Sequence, residues 1–237
     1  MDKNKSFYAL ALPRAVLIVL HYFIGYLYAY PRITSYLTLM VQPRAIMILP
    51  SLQMATYILT AGVSIALAWP IIKHSIQIFR ESKKECLKLI GVLFVTTLCA
   101  NMVLNIIVST LTNTTQSENQ DSIQMASMMV PFITIFATCI FSPIVEELVF
   151  RGGAFSCLRK RTGFLTASIF SSTLFGSIHV LTSLMSGNFS DASYLLVYTG
   201  IGMVMAYGYE KSGTLVVPIG IHMLNNILSV IAMFLVI

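Results

Sequence analysis

Glu146-Glu147-Leu148-Val149-Phe150-Arg151 sets three ionisable side chains inside one of the most apolar regions of the chain. A charged side chain at the centre of a bilayer costs roughly 2.5 to 3.5 kcal/mol on the insertion scale, so an intramembrane acid faces an interior and marks a functional site by default. The flanks of this hexapeptide carry no charge from Asp121 to Glu146 or from Arg151 to Arg159, which reads as a membrane-crossing helix with its charges turned inward.

Composition agrees. The 237 residues are 57% hydrophobic and 10% charged, with a mean hydropathy of +0.81; a soluble domain carries about 25% charged residues. A crossing needs about 20 apolar residues. Gaps of that order lie between Arg14 and Arg32, Arg44 and Lys73, Lys88 and Glu118, Asp121 and Glu146, Arg161 and Asp191, Asp191 and Glu210, and after Lys211, so the expectation is an all-α polytopic bundle of about seven spans. Pro31 is expected to close the first span, Pro50 to sit in the first turns of the second, and Trp69-Pro70 to mark its far end. Residues 1–124 contribute transmembrane helices without a motif. Residues 125–237 form the helical core that carries the candidate chemistry, both in one integral-membrane unit.

The net charge of +6 implies no nucleic-acid partner, because the basic residues fall in short clusters between spans. Lys73, Arg80, Lys83, Lys84 and Lys88 are the cytoplasmic signature, whereas 112–124 carries Glu118 and Asp121 without lysine or arginine. Alternation then puts Arg159-Lys160-Arg161 and Lys211 inside and 186–193 outside. The N-terminus, with Lys3 and Lys5, is cytoplasmic, and Arg32 and Arg44 conflict with this by falling outside. The expected location is a bacterial cytoplasmic membrane, with the lipid bilayer as a partner. Cys86, Cys99, Cys139 and Cys157 lack metal-finger spacing and read as packing residues. No internal repeat is evident, which counts against a transporter.

Three spans supply polar residues at helical spacing. Glu147 and Arg151 stand at i and i+4 and can pair, while Glu146 is turned about 100° away and is left for another partner. Phe175 and His179 share a face at the same spacing, as do His222 and Asn226. A glutamate, two imidazoles and an amide converging in a dry pocket have two uses. They can hold a divalent metal, zinc being the usual one for Glu146, His179 and His222, or they can position a water and polarise a carbonyl. The compact His-Glu-x-x-His helix of zinc peptidases is missing, which tilts the reading towards the metal-free use. Glu210 beside Lys211 reads as a solvated helix-end pair, His21 and His74 as packing or border residues, and Gly200, Gly202 and Gly208 as sites of close helix approach.

At these residues the chain resembles the CAAX-protease and bacteriocin-processing (CPBP, or Abi) family of intramembrane proteases. Its Glu-Glu-x-x-x-Arg motif is met by Glu146, Glu147 and Arg151, its Phe-x-x-x-His by Phe175 and His179, and its His-x-x-x-Asn/Asp by His222 and Asn226. Ser212-Gly213-Thr214-Leu215 and Pro218 resemble the family's entry into its last catalytic helix. The resemblance covers residues 125 to 237. It implies peptide hydrolysis inside the membrane with Glu146 as general base, His179 holding the water or a metal, and His222 and Asn226 completing a metal site or stabilising the oxyanion. Glu147, Arg151 and Phe175 would support the site. Family members are described both as metalloproteases and as glutamate-dependent enzymes. The implied substrate is a peptide or protein, membrane-bound or prenylated, in bacteriocin maturation, self-immunity or CAAX-type processing. A non-catalytic immunity or scaffold protein and an ion or proton carrier are the alternatives, and both would use the same residues as a polar core.

Overall fold

The computed structural model describes residues 8–41 and 45–235, and the side chains of 45–47 are not described. Lys3, Lys5 and Arg44 lie outside the described side chains. The expected all-α architecture is observed: α1 (Leu12–Met40), α2 (Ala45–Glu81), α3 (Lys83–Thr112), α4 (Glu118–Met129), α5 (Pro131–Arg159), α6 (Phe164–Met185), α7 (Tyr194–Ser212) and α8 (Val216–Leu235). Among the described residues all of these except α4 and α7 are long and apolar enough to cross a membrane. The chain is an integral, multi-pass membrane protein.

Two expected helix ends are corrected. The first helix runs through Pro31 to Met40, and its stretch His21–Ala29 is wound wider than an α-helix, with the Tyr30 N–H reaching back to the Gly25 carbonyl. The wider winding shifts the carbonyl wall that a proline ring strikes in a regular helix. Its 29 residues extend about 44 Å, beyond a hydrocarbon core of about 30 Å, so Arg32 can sit past the apolar core without a loop. There it lies over the Tyr28 ring, 3.6 Å from its centroid. The second helix holds both Pro50 and Pro70 in its interior and ends only at Glu81. Neighbouring donors compensate within a membrane bundle, and Arg14 Nη1 bonds the Leu67 carbonyl at 3.2 Å, three residues before Pro70.

One expected crossing differs in character. The segment between Asp191 and Glu210 is helical, as α7, but is not apolar enough to rank with the other spans. It is wedged against α6, α3 and α8, so its composition answers to protein neighbours rather than to lipid. The expected close approaches are present. A Cβ on Gly202 would come within 2.8 Å of Ser172 Cβ, and one on Gly208 within 3.1 Å of Leu93 Cδ1.

The two ends of the bundle are tied separately. At one, Tyr209 donates to the Tyr8 carbonyl at 2.9 Å and Thr214 to the Ser75 carbonyl at 2.8 Å. Glu210 belongs to this end and is also corrected: it accepts from Arg159 Nη2 at 2.8 Å, not from Lys211, because α5 and α7 finish side by side. At the other end Asp191 accepts from the Glu118 N–H at 3.0 Å, and Asn188 donates to Glu118 Oε1 at 2.6 Å. Ser117 caps α4 by accepting from the Gln120 N–H at 3.3 Å. These ties hold the start of α4 to the segment between α6 and α7.

Candidate active site

The hexapeptide lies in α5, the most buried of the spans, where the chain is again wound wide over Glu147–Phe155. Such widened turns recur at functional sites. Glu147 and Arg151 are both fully buried and paired, Arg151 Nη1 standing 3.0 Å from Glu147 Oε1. Arg151 Nη2 donates to the Gly202 carbonyl at 2.9 Å. Its guanidinium also lies over the Phe175 ring, 4.7 Å from the centroid. A Cβ at residue 202 would meet Arg151 Nη2 at 3.1 Å, so the glycine is what lets α7 offer its carbonyl.

Glu146 faces away from this pair. Its Oε1 accepts from the Tyr22 hydroxyl at 3.3 Å, and its Oε2 has no hydrogen-bond partner among the described residues. His222 lies between the two acids. Its Nδ1 is 3.1 Å from Glu147 Oε1, and its Nε2 is 3.9 Å from Glu146 Oε2. A carboxylate only accepts, so Nδ1 carries a proton and Nε2 is turned towards Glu146.

His179 is fixed by the same logic. Its Nδ1 lies 3.0 Å from the Phe175 carbonyl, which makes Nδ1 the donor and leaves the Nε2 lone pair available. The ring stacks on Tyr198 with centroids 4.3 Å apart. Tyr198 in turn is held by Ser117 Oγ at 2.8 Å and Asn119 Nδ2 at 3.3 Å, which links the imidazole to α4. Asn226 Nδ2 donates to the Thr138 carbonyl at 2.8 Å, leaving its second N–H unassigned. Phe175 packs its ring against both histidines, with centroids 4.7 Å and 5.7 Å away.

Glu146, His179, His222 and Asn226 line one cavity of about 240 Å³, together with Tyr22 and Tyr26 of α1 and Tyr57 of α2. Glu147 and Arg151 stand behind His222. The expectation that Glu147 pairs with Arg151 while Glu146 points elsewhere describes the geometry, although Glu147 Oε2 and Arg151 Nε are left without a hydrogen-bond partner among the described residues. The bond from His222 to Glu147 was not foreseen, and Tyr22 was missed, because a lone tyrosine in an apolar helix carries no spacing signal. The one hint is general: a buried hydroxyl needs a partner.

Whether this set holds a metal turns on ligand geometry. Among the described residues no three His, Cys, Asp or Glu side chains stand together as a metal-binding group. Glu146, His179 and His222 as arranged do not form such a group.

Fold and site define a polytopic helical membrane protein with a buried carboxylate and two oriented imidazoles opening on one cavity. Residues 128–228 match the family described as type II CAAX prenyl endopeptidase Rce1-like, a likeness that covers this segment of the chain. The chain is 34% identical over 116 residues to the putative membrane peptidase YdiL of Bacillus subtilis, covering 49% of this chain and 43% of that protein. It is 29% identical over 154 residues to the membrane-embedded CAAX protease MroQ of Staphylococcus aureus, covering 62% and 58%. The chain thus spans about half the length of the curated relatives it matches. No solved structure matches it.

Proposed function

We propose that the chain is an intramembrane endopeptidase in which Glu146 activates a water against a peptide carbonyl. The observation that carries this reading is the unpartnered Glu146 Oε2, which meets His222 Nε2 on the cavity lined by His179 and Asn226. A water held by Oε2 and the His179 Nε2 lone pair gives its proton to Glu146 as its oxygen bonds the carbonyl carbon. The tetrahedral oxyanion is met by the second N–H of Asn226. The C–N bond then breaks as Glu146 returns the proton to the leaving amine, so one water and one peptide bond become a carboxylic acid and an amine, between which the acid's proton passes to give a carboxylate and an ammonium.

In this scheme Glu147 holds the His222 ring, Arg151 holds Glu147, and Tyr22 selects which Glu146 oxygen faces the cavity. The basic end of the bundle, with Lys73 to Lys88 and Arg159 to Arg161, faces the cytoplasm of a bacterial cell, and the N-terminus with it. Maturation of a secreted peptide, self-immunity and CAAX-type processing are the roles that fit a peptidase of this kind. The test is cleavage of membrane-partitioning peptides by purified protein in liposomes, read by mass spectrometry. Glu146→Gln should abolish cleavage while thermal unfolding stays within a few degrees of wild type. A fully active Glu146→Gln protein refutes the scheme and favours a polar structural core.

A further inference from the structure

Two more cavities adjoin the central one, and the three stand in a row. On one side a cavity of about 450 Å³ between α1 and α2 shares Tyr26, Leu27 and Tyr57 with the Glu146 cavity. On the other a cavity of about 220 Å³ shares Asn119, Ile123, Thr138, His179 and Asn226 with it. The two outer cavities have no lining residue in common, so the Glu146 cavity lies between them.

Their linings differ in kind. The α1–α2 side joins Leu27, Pro31 and Leu49 to the hydroxyls of Thr34 and Thr56 and to Gln53, whose amide already donates to Tyr57 at 2.8 Å. The far side is rich in amides, with Asn101 and Asn105 of α3, Gln116 and Gln120 beside Asn119, and Asn225. Among the described residues no Asp, Glu, Lys or Arg lines either flank. A charge carried into such a lining loses its water without gaining a counter-ion and is disfavoured there. An amide carries both a donor and an acceptor, the pair that an extended peptide backbone presents.

We infer that the three cavities are one cleft for an uncharged, extended peptide segment: a bulky side chain lodges between α1 and α2, and the amide-rich side bonds the backbone beyond the cleaved bond. This rests on the peptidase reading and adds the class of substrate to it. It also divides the labour along the chain. The bulky-residue side comes wholly from residues 26–57, outside the family-matched segment 128–228, so this side of the cleft and the motif residues Glu146, His179, His222 and Asn226 are encoded in different halves.

The test uses the full chain carrying Glu146→Gln, so that bound peptide is not consumed. The probe is a synthetic peptide of Ala, Leu, Phe and Ser with one benzophenone side chain, alongside the same peptide with Lys or Asp next to the benzophenone. Photolabelling followed by mass spectrometry should place the uncharged probe on residues 26–57. Adding Thr56→Trp, which fills the α1–α2 side, should lower the yield about tenfold, as should the Lys or Asp peptides. Asn105→Leu should weaken labelling by a smaller factor. Equal labelling by charged and uncharged probes, or a yield indifferent to Thr56→Trp, overturns the inference. In a parallel arm wild-type protein is offered the same peptides. Failure to cleave any of them while labelling behaves as expected refutes the peptidase reading and leaves the cleft standing. Cleavage indifferent to flanking charge refutes the cleft alone.

Discussion

Replacing Arg151 by methionine leaves Glu147 buried with no cation beside it, since the guanidinium at 3.0 Å is its only arginine or lysine partner among the described ion pairs. Breaking a buried pair from one side costs about 3–5 kcal/mol, and the Gly202 carbonyl loses its donor as well. At 1.4 kcal/mol per decade, that raises the population of opened molecules by about two to three and a half decades. The thiols of Cys86, Cys139 and Cys157 are buried and report the opening: in mild detergent, reaction with a thiol-specific dye under conditions of rapid reclosing should accelerate by that factor. The paired change Glu147→Leu with Arg151→Met removes both charges at once. It should restore most of the protection, leaving a deficit of about 1–3 kcal/mol for the orphaned His222 Nδ1–H. Cleavage should stay impaired, because His222 has lost the acceptor that orients it. If Arg151→Met labels within threefold of wild type, or if the double variant is no better protected than the single one, the argument from an uncompensated charge is wrong.

Tyr22→Phe keeps the ring against Phe150, 5.7 Å away, and removes only the hydroxyl that meets Glu146; steady-state kinetics should show kcat lowered about tenfold with KM nearly unchanged. Gly202→Ala puts a methyl where Ser172 and Arg151 already stand, an overpacking that costs about 1–3 kcal/mol, visible as a lower unfolding temperature and faster thiol labelling. Purified active protein should hold far less than one equivalent of zinc by elemental analysis, and dialysis against a chelator should leave cleavage unchanged. Stoichiometric metal whose removal stops cleavage would require Glu146, His179 and His222 to rearrange around an ion.

The motif residues were legible because helical spacing converts sequence distance into a shared face. Glu147 with Arg151, and Phe175 with His179, meet as i, i+4 neighbours even where the helix is wound wide. The helical class was legible from charge-free gaps alone. What escaped depends on neighbours. Pro31 and Pro70 look like helix ends by local rules, yet surrounding helices and altered winding carry the chain past both. Glu210 has a lysine next to it in sequence, but its partner Arg159 is 51 residues away and comes near only because two helix ends meet. Tyr22 reaches Glu146 across 124 residues, a contact no periodicity could announce. The weaker hydropathy of α7 follows from its place inside the bundle, which composition alone cannot reveal.

The pairing of Glu147 with Arg151 within one turn of a single helix also has a consequence for synthesis at the ribosome. His222 is made 75 residues after Glu147, which at about 5–20 residues per second is an interval of about 4–15 s. During that interval α5 enters the bilayer with two acids and no histidine to meet them. Arg151 arrives in the same span, four residues behind, so the span brings its own counter-charge to the translocon, and the α1 tyrosine that will meet Glu146 has already been made. The nascent chain can therefore commit this helix to the membrane before the last one exists.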